Sequence, residues 1–472
     1  MLFNTWEFAG FFLIVFTAYH LLARRAQNVL LLVASYVFYA GWDWRFLSLL
    51  WVSTIVDYLV GRALEHAEGA RRKRLLLVSV ITNLGILGFF KYFNFFAGSA
   101  AEALHTLGLH ADTPTLAIIL PVGISFYTFQ TMAYTIDVYR KRMTPTHNLL
   151  TFAVYVAYFP QLVAGPIERA QHLIPQFTKP RRVDADRFAS GLLLIMIGLV
   201  RKVVIADNAA AFVDPVFHDP SAHSSMYVLR AVFLFGLQIY GDCAGYSDIA
   251  RGTSRLLGIE LMENFNQPYF STNITEFWRR WHVSLSTWLR DYLYIPLGGN
   301  RRGRRRTDIN LTLTMLLGGL WHGAAWTFVI WGGLHGLALL IHKHWLRGVK
   351  PPERAVIQSP PDLARALAGW GLTMGTVWLA WVFFRAPDFH AAAQVLHALF
   401  VFRGDPYFGL LKPAIYMAGL MLVIDIPQYL ARKHEAMLDW PWPVRGALCA
   451  SALLLLVVFW RADEVPFIYF QF

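Results

Sequence analysis

Apolar residues run through this chain in long blocks, and short clusters of arginine and lysine separate them. Residues 8 to 23 and 28 to 42 form a first pair hinged at Arg24 and Arg25, and 46 to 62 leads to a second basic loop, Arg71-Arg72-Lys73-Arg74. Further blocks lie at 75 to 95, 115 to 134, 188 to 206, 228 to 246, 366 to 384, 411 to 429 and 442 to 460. Most approach the roughly 20 residues that cross a hydrocarbon core of about 30 Å as a helix. Loops rich in arginine and lysine face the cytoplasm. On that rule the N-terminus and the C-terminal Pro466 to Phe472 are both expected outside it.

Three stretches break the rule of simple crossings. Residues 149 to 164 have basic flanks on both sides, Arg140-Lys141-Arg142 and Lys179, Arg181 and Arg182. Both flanks cannot be cytoplasmic across one crossing, so this run is predicted to be re-entrant, broken at Pro160, Gly165 and Pro166, with Gln161 facing protein. The segment 251 to 308 carries ten arginines and no lysine, and is expected to be cytoplasmic or interfacial. Within it, Asn273 and Glu276 have the spacing of an N-cap and its third-residue partner, predicting a helix through Tyr292. That helix gathers Trp278, Trp281, His282, Leu285, Trp288, Leu289 and Tyr292 on one face and Arg279, Arg280, Ser286, Thr287, Arg290 and Asp291 on the other, the pattern of a helix lying in the membrane interface. Finally, 309 to 321 is too short to span, and together with 324 to 341 it predicts a paired insertion over 309 to 345 that leaves and returns on the cytoplasmic side, ending at His342, Lys343, His344, Arg347 and Lys350.

The expected fold is therefore all-α: a polytopic membrane protein of about 10 to 13 transmembrane or re-entrant helices plus one amphipathic interfacial helix around a central funnel, with residues 1 to 472 forming a single membrane domain. Composition agrees. The 472 residues are 56% hydrophobic and 15% charged, with mean hydropathy +0.42. The net charge of +12 sits in the inter-block clusters, so membrane orientation accounts for it and no nucleic-acid partner is expected. Both cysteines, Cys243 and Cys449, fall in apolar runs, which predicts buried packing residues and no disulfide framework. No basic flank precedes the first run, so it is expected to be an uncleaved span. Arg201 and Lys202, near the end of a block, are expected to snorkel, with contact to an anion as the alternative, and Asp207, Asp214 and Asp219 are expected in the following loop.

Candidate chemistry centres on His322, at the tip of the paired insertion between Trp321 and Gly323, with Trp326 one turn on. An ionisable group at membrane depth is costly and marks a functional site. A desolvated imidazole stays neutral at neutral pH and can accept a proton from a hydroxyl. The alternative is a histidine that locks a helix turn through a carbonyl. His282 approaches the membrane from the same side, and the two are expected to line one cavity. Asp242 and Asp248 in the stretch 238 to 248 are candidates to orient a histidine or bind a donor, or else to pair with Arg251 or Arg255. His342 and His344 lack the accompanying ligands of a metal site, so no metal is expected. Phosphate-binding, dinucleotide and serine-hydrolase motifs are absent from the sequence. A polysaccharide or lipid transporter is the competing class, although no internal repeat is apparent.

Several motifs then resemble one family from end to end: PVGISFYTFQ at 121 to 130, YFPQLVAGPIER at 158 to 169, QIYGDCAGYSDIARG at 238 to 252, the 264 to 301 stretch with WRRWH, LWHGAAWTFVIWGGLHG at 320 to 336, and PFIYFQF at the C-terminus. The chain resembles the membrane-bound O-acyltransferases, in the bacterial branch that includes alginate O-acetylation. The resemblance implies that His322 of the WHG motif is catalytic, with His282 as its second member. It also implies acetyl transfer from a cytoplasmic thioester, acetyl-CoA or an acyl carrier protein, towards an extracytoplasmic polysaccharide in the bacterial inner membrane, with no bound cofactor and with periplasmic relay or transferase partners. Peptidoglycan, cellulose or teichoic acid D-alanylation are the alternative acceptors. Asp242, Tyr246, Asp248, Trp278, Trp321, Trp326 and Gln161 are the candidate substrate or donor contacts. Cys243-Ala244 departs from the aromatic and serine of the family pattern and leaves Asp242, Gly245, Tyr246 and Asp248 intact.

Overall fold

A computed structural model describes residues 1–109, 116–346, 359–404, 407–461 and 465–468. Arg347, Lys350 and the last four residues of the C-terminal motif lie outside them. The described residues are helical, without a strand among them. Seven helical stretches are long and apolar enough to cross a membrane: 24–65, 69–106, 185–218, 225–256, 360–385, 408–431 and 442–459. Two shorter apolar helices, 6–21 and 389–400, join them. Their outward faces carry exposed Leu, Ile, Val and Phe, as a lipid-facing surface requires. The chain forms two compact units, residues 1–184 with 254–261, and 185–253 with 262–472.

The first unit contains α1 (Trp6–Leu21), α2 (Arg24–Asp43), α3 (Leu47–Glu65), α4 (Gly69–Leu87), α5 (Phe93–Thr106), α6 (Ile124–Tyr139), α7 (Leu149–Ala157), α8 (Phe159–Leu162) and α9 (Ala170–Thr178). The run 149 to 164 is indeed broken. Its two helices of 9 and 4 residues are far too short to cross, and Pro160 opens the second, where its missing N–H costs nothing. Gln161 faces protein: its Nε2 donates to the Tyr155 carbonyl at 2.8 Å, alongside Gln130 at 2.6 Å.

The second unit contains α10 (Ala185–Leu199), α11 (Asp207–His218), α12 (Ser225–Leu256, whose last turn counts with the first unit), α13 (Ile274–Arg280), α14 (Val283–Leu289), α15 (Gly303–His322), α16 (Trp326–Trp345), α17 (Pro360–Arg385), α18 (Phe389–Phe400), α19 (Lys412–Ala431) and α20 (Trp442–Phe459). Between α10 and α11 the backbone passes through a π-helical stretch, Val200–Ala206. Val200, Val203 and Val204 there pack with Ile424, Met437 and Leu456.

Several expectations need correction. Arg201 and Lys202 do not snorkel. Arg201 is 1% exposed and is held by Asp248 and Asp425, while Lys202 bridges Asp207 at 2.7 Å and Asp242 at 2.8 Å. Asp207 accordingly begins a helix rather than a loop. A residue count cannot reveal partners that lie far away in sequence. Cys243 is buried as expected, but Cys449 is exposed on the apolar outer face of α20.

The helix predicted over 273–292 is interrupted. Asn273 does cap it, accepting from the Glu276 N–H at 2.9 Å, but α13 ends at Arg280 and His282 adopts a left-handed conformation with φ 44°. The neighbouring loop supplies what the break removes. Asn264 accepts from the backbone N–H of Val283 at 2.8 Å through its carbonyl, and from the N–H of Ser284 at 3.1 Å through its side chain. Asn266 donates to the Arg280 carbonyl at 2.9 Å and accepts from the Arg280 guanidinium at 3.1 Å. Of the predicted polar face, Arg279 and Arg290 are exposed, whereas Arg280 is buried in a 2.9 Å ion pair with Glu276.

Candidate active site

The α15–α16 hairpin builds the centre. Gly319 and Gly332 let the two helices meet backbone to backbone: a Cβ on Gly319 would lie 2.2 Å from the Phe328 carbonyl oxygen, and one on Gly332 would lie 2.2 Å from that of Met315. His322 is the last residue of α15, and Gly323 turns the chain extended toward α16. A side chain on Gly323 would strike the Phe328 ring at 2.1 Å. At the other end of the hairpin, Asp308 holds Lys343 at 2.8 Å and His344 at 3.0 Å, and these partners keep its carboxyl below the usual carboxylate range. The arginines at 301, 302 and 304–306 are exposed. The short apolar run 309–321 is thus the upper part of a 20-residue helix that starts in the basic cluster.

His322 and His282 converge. Their ring centroids lie 6.4 Å apart, nearly perpendicular, and both are buried. The walls around His322 are aromatic: Trp321 at 5.0 Å, Trp331 at 4.9 Å and Phe384 at 5.3 Å. His282 lies 6.0 Å from Trp321 and 5.7 Å from Phe265. Burial pushes the His282 imidazole down to about 3, so it is neutral over the physiological range. Its Nδ1 is 3.4 Å from the Ser284 hydroxyl, which itself donates to Asn264 Oδ1 at 2.8 Å. With that hydroxyl proton committed, the contact is satisfied by an Nδ1–H tautomer of His282, which leaves the lone pair on Nε2. Two buried imidazoles meeting edge to face among aromatic rings suit proton abstraction from a neutral hydroxyl.

The other sequence candidates separate into groups. Trp278 joins the chamber's lower wall, 5.8 Å from Trp331, and Trp321 lies against both histidines. Trp326 is half-exposed at the first turn of α16. Asp242, Tyr246 and Asp248 belong to a buried ionic layer along α12. Asp242 pairs with Lys202 and accepts from the Ile468 N–H at 2.7 Å, the Tyr246 ring lies tilted 4.8 Å from Phe467, and Asp248 meets Arg201, Arg251 at 3.6 Å and His434 at 3.8 Å. Neither carboxylate touches His282 or His322. Gln161 ties together the first unit. Among the described residues no cluster of His, Cys, Asp or Glu could hold a metal ion.

Sequence reading missed His335. It is fully buried between Trp331 at 4.8 Å and Trp278 at 5.1 Å, with Phe277 parallel at 6.0 Å, and neither ring nitrogen has a hydrogen-bond partner. The signal was present in the WGGLHG tail of the histidine motif, where Trp331 and His335 are four apart and share a helix face.

Seven membrane-length apolar helical stretches together with a buried histidine pair define a multi-pass membrane enzyme. Comparison with known proteins identifies its kind: the profile of MBOAT, the membrane-bound O-acyltransferase family, matches residues 138–381, and the chain belongs to that family. A probable alginate O-acetylase of Pseudomonas aeruginosa is 45% identical over 407 residues, covering 85% of this chain and 75% of the relative. One from Pseudomonas putida is 40% identical over the full length of both. A peptidoglycan O-acetyltransferase of Helicobacter pylori is 38% identical across 100% of this chain and 98% of its own. The protein is an O-acyltransferase, and the transporter alternative falls away.

Proposed function

We propose that this protein moves an acetyl group from a cytoplasmic thioester, acetyl-CoA or an acyl carrier protein, toward O-acetylation of an extracytoplasmic polysaccharide, alginate, in the bacterial inner membrane. The convergence of His322 and His282 in a buried chamber is the observation that carries the reading. His322 takes the proton of the acceptor hydroxyl as its oxygen attacks the acyl carbon. The new C–O bond forms, the C–S bond breaks, and the thiolate leaves with the donor. His282 positions the hydroxyl through its neutral ring. Holding both substrates in one chamber supplies much of the rate, by turning their encounter into an effectively unimolecular step. The exposed arginines of 301–306 favour an anionic donor on the cytoplasmic side. A polymer is too bulky for so enclosed a site, so periplasmic relay or transferase partners complete the delivery.

Alginate is favoured because the relatives named for it are 40–45% identical. A peptidoglycan acceptor is the second reading, supported by the 38% identity to the Helicobacter enzyme along the whole chain. The test is acetyl transfer from labelled donor in membranes carrying His322→Ala protein that still inserts and folds. Loss of transfer is expected, and retained transfer would sink the assignment. Profiling the O-acetyl esters of alginate and peptidoglycan in cells lacking the protein separates the two acceptors.

A further inference from the structure

The second unit carries an open apolar groove of about 780 Å³ between α12, α17 and α19. Phe233 and Trp378 line one end, Leu367, Trp370 and Leu422 its length, and Tyr429 the other end. Leu367 is 57% exposed, Trp370 45% and Leu422 43%, although all three are large and apolar. The space is open along α17, because a Cβ added at Gly371 or Gly375 would meet no neighbouring atom within 4 Å. All three helices are long and apolar enough to cross the membrane, so the groove lies at hydrocarbon depth, where a lipid chain or another helix is what can fill it.

Two observations choose between these occupants. The first is size: a 20-residue helix about 10 Å across occupies on the order of 2,000 Å³, well beyond this volume, whereas an acyl chain is narrow enough to lie within it. The second is charge. Arg230, Phe233 and Leu237 recur on one face of α12, which places Arg230 about one turn beyond the Phe233 end of the groove. Arg230 is only 8% exposed, yet its Nε has no hydrogen-bond partner and no carboxylate among the described residues pairs with it. Its guanidinium lies instead over the rings of Phe212 at 4.7 Å and Tyr227 at 4.8 Å, which attract the charge but leave the N–H groups without strong acceptors. The other buried arginines of this unit all have carboxylates: Arg201 meets Asp248 and Asp425, Arg251 meets Glu263, and Arg280 meets Glu276. A guanidinium near the end of a membrane helix with no counterion of its own matches a lipid phosphate. We propose that the groove binds one glycerophospholipid, with an acyl chain along α17 and α19 and the phosphate paired with Arg230. The groove wall gives such a lipid a role. Asp425, a partner of Arg201, lines it, and so does Tyr269, which stacks 6.1 Å from Trp281, the residue before His282. The bound chain therefore keeps water from the ionic layer and backs the wall beside the histidine pair.

The test purifies the full-length protein in detergent and identifies and counts retained lipid by native mass spectrometry. One glycerophospholipid per chain is expected. Arg230→Gln keeps a long polar side chain without the charge, and is expected to weaken binding of added phosphatidylglycerol about tenfold, as loss of a charge-assisted hydrogen bond does. Gly375→Leu puts its Cβ into open space and is expected to displace the acyl chain, so the proposal stays testable if the Arg230 variant does not fold. A photoreactive residue substituted at Leu367 is expected to crosslink to phospholipid in cell membranes. No retained glycerophospholipid in the wild type overturns the proposal, as does unchanged binding in either folded variant. Crosslinking from position 367 to a polypeptide also overturns it, assigning the groove to a partner helix.

Discussion

Gly319→Ala is expected to lower acetyl transfer about 100-fold while leaving the protein inserted. The new Cβ would stand 2.2 Å from the Phe328 carbonyl oxygen, and ordinary contact begins near 3.4 Å, so α15 and α16 must part by about 1.2 Å. His322 is three residues beyond Gly319 on the same helix, and its ring lies against Trp331 of the opposite one. A misplacement of about 1 Å at a reacting group costs on the order of 10²-fold in rate. Overpacking also destabilises by about 1–3 kcal/mol. The assay measures kcat and the donor KM for labelled acetyl transfer in nanodiscs, with the thermal midpoint recorded in parallel. Gly333→Ala is the control, because its Cβ would meet only Leu316 Cδ2 at an ordinary 3.4 Å. Full turnover in Gly319→Ala at unchanged stability would refute the claim that this crossing places His322.

Arg201→Met strands the carboxylates of Asp248 and Asp425 in the interior and is expected to destabilise the protein by about 3–5 kcal/mol; an unchanged denaturation midpoint would contradict the network. His335→Phe removes two buried nitrogens that lack partners and is expected to maintain or raise the thermal midpoint, whereas a fall would mean those nitrogens are satisfied in the folded protein. His282→Asn keeps a residue that tolerates the left-handed backbone, so activity lost in a stably folded variant reports the imidazole itself. The depressed value of His282 also fixes a sign. The unfolded state binds its proton below about 6.5 and the folded state only near 3, so stability is fully present above that window and falls as pH drops through it, by at most about 1.4 kcal/mol per pH unit for this group. If pH 4–6 denaturation curves for wild type and His282→Asn show the same acid sensitivity, this reasoning fails.

Long apolar blocks made the helical membrane architecture legible, because no other element of that length satisfies its own backbone in lipid. Pro160 marked a real break in the chain, and the Asn273 cap was visible for the same local reason: each acts within a few residues of itself. The interruption at His282 was not visible. It depends on Asn264 and Asn266, which lie outside the predicted helix, so helical periodicity alone ran straight through it. Arg201 and Lys202 were misread for a similar cause, since their partners at 207, 242, 248 and 425 can be matched only once α12 and α19 are in place. The motif histidines were identifiable individually. Their separation, and the third histidine beside them, required the glycine crossing of α15 and α16.

The pairing of Arg201 with Asp425 spans 224 residues, and this bears on how the protein is made. At about 5–20 residues per second, a ribosome that has just completed the Arg201 helix needs on the order of 10–45 seconds to reach α19. Asp248 emerges far sooner and can shield the guanidinium in the interim, but Asp425 and Gln428 arrive only with α19. The nascent chain must therefore shelter a half-satisfied arginine at the insertion machinery until α19 enters. Premature termination before residue 425 would leave that charge incompletely matched and mark the fragment for membrane quality control.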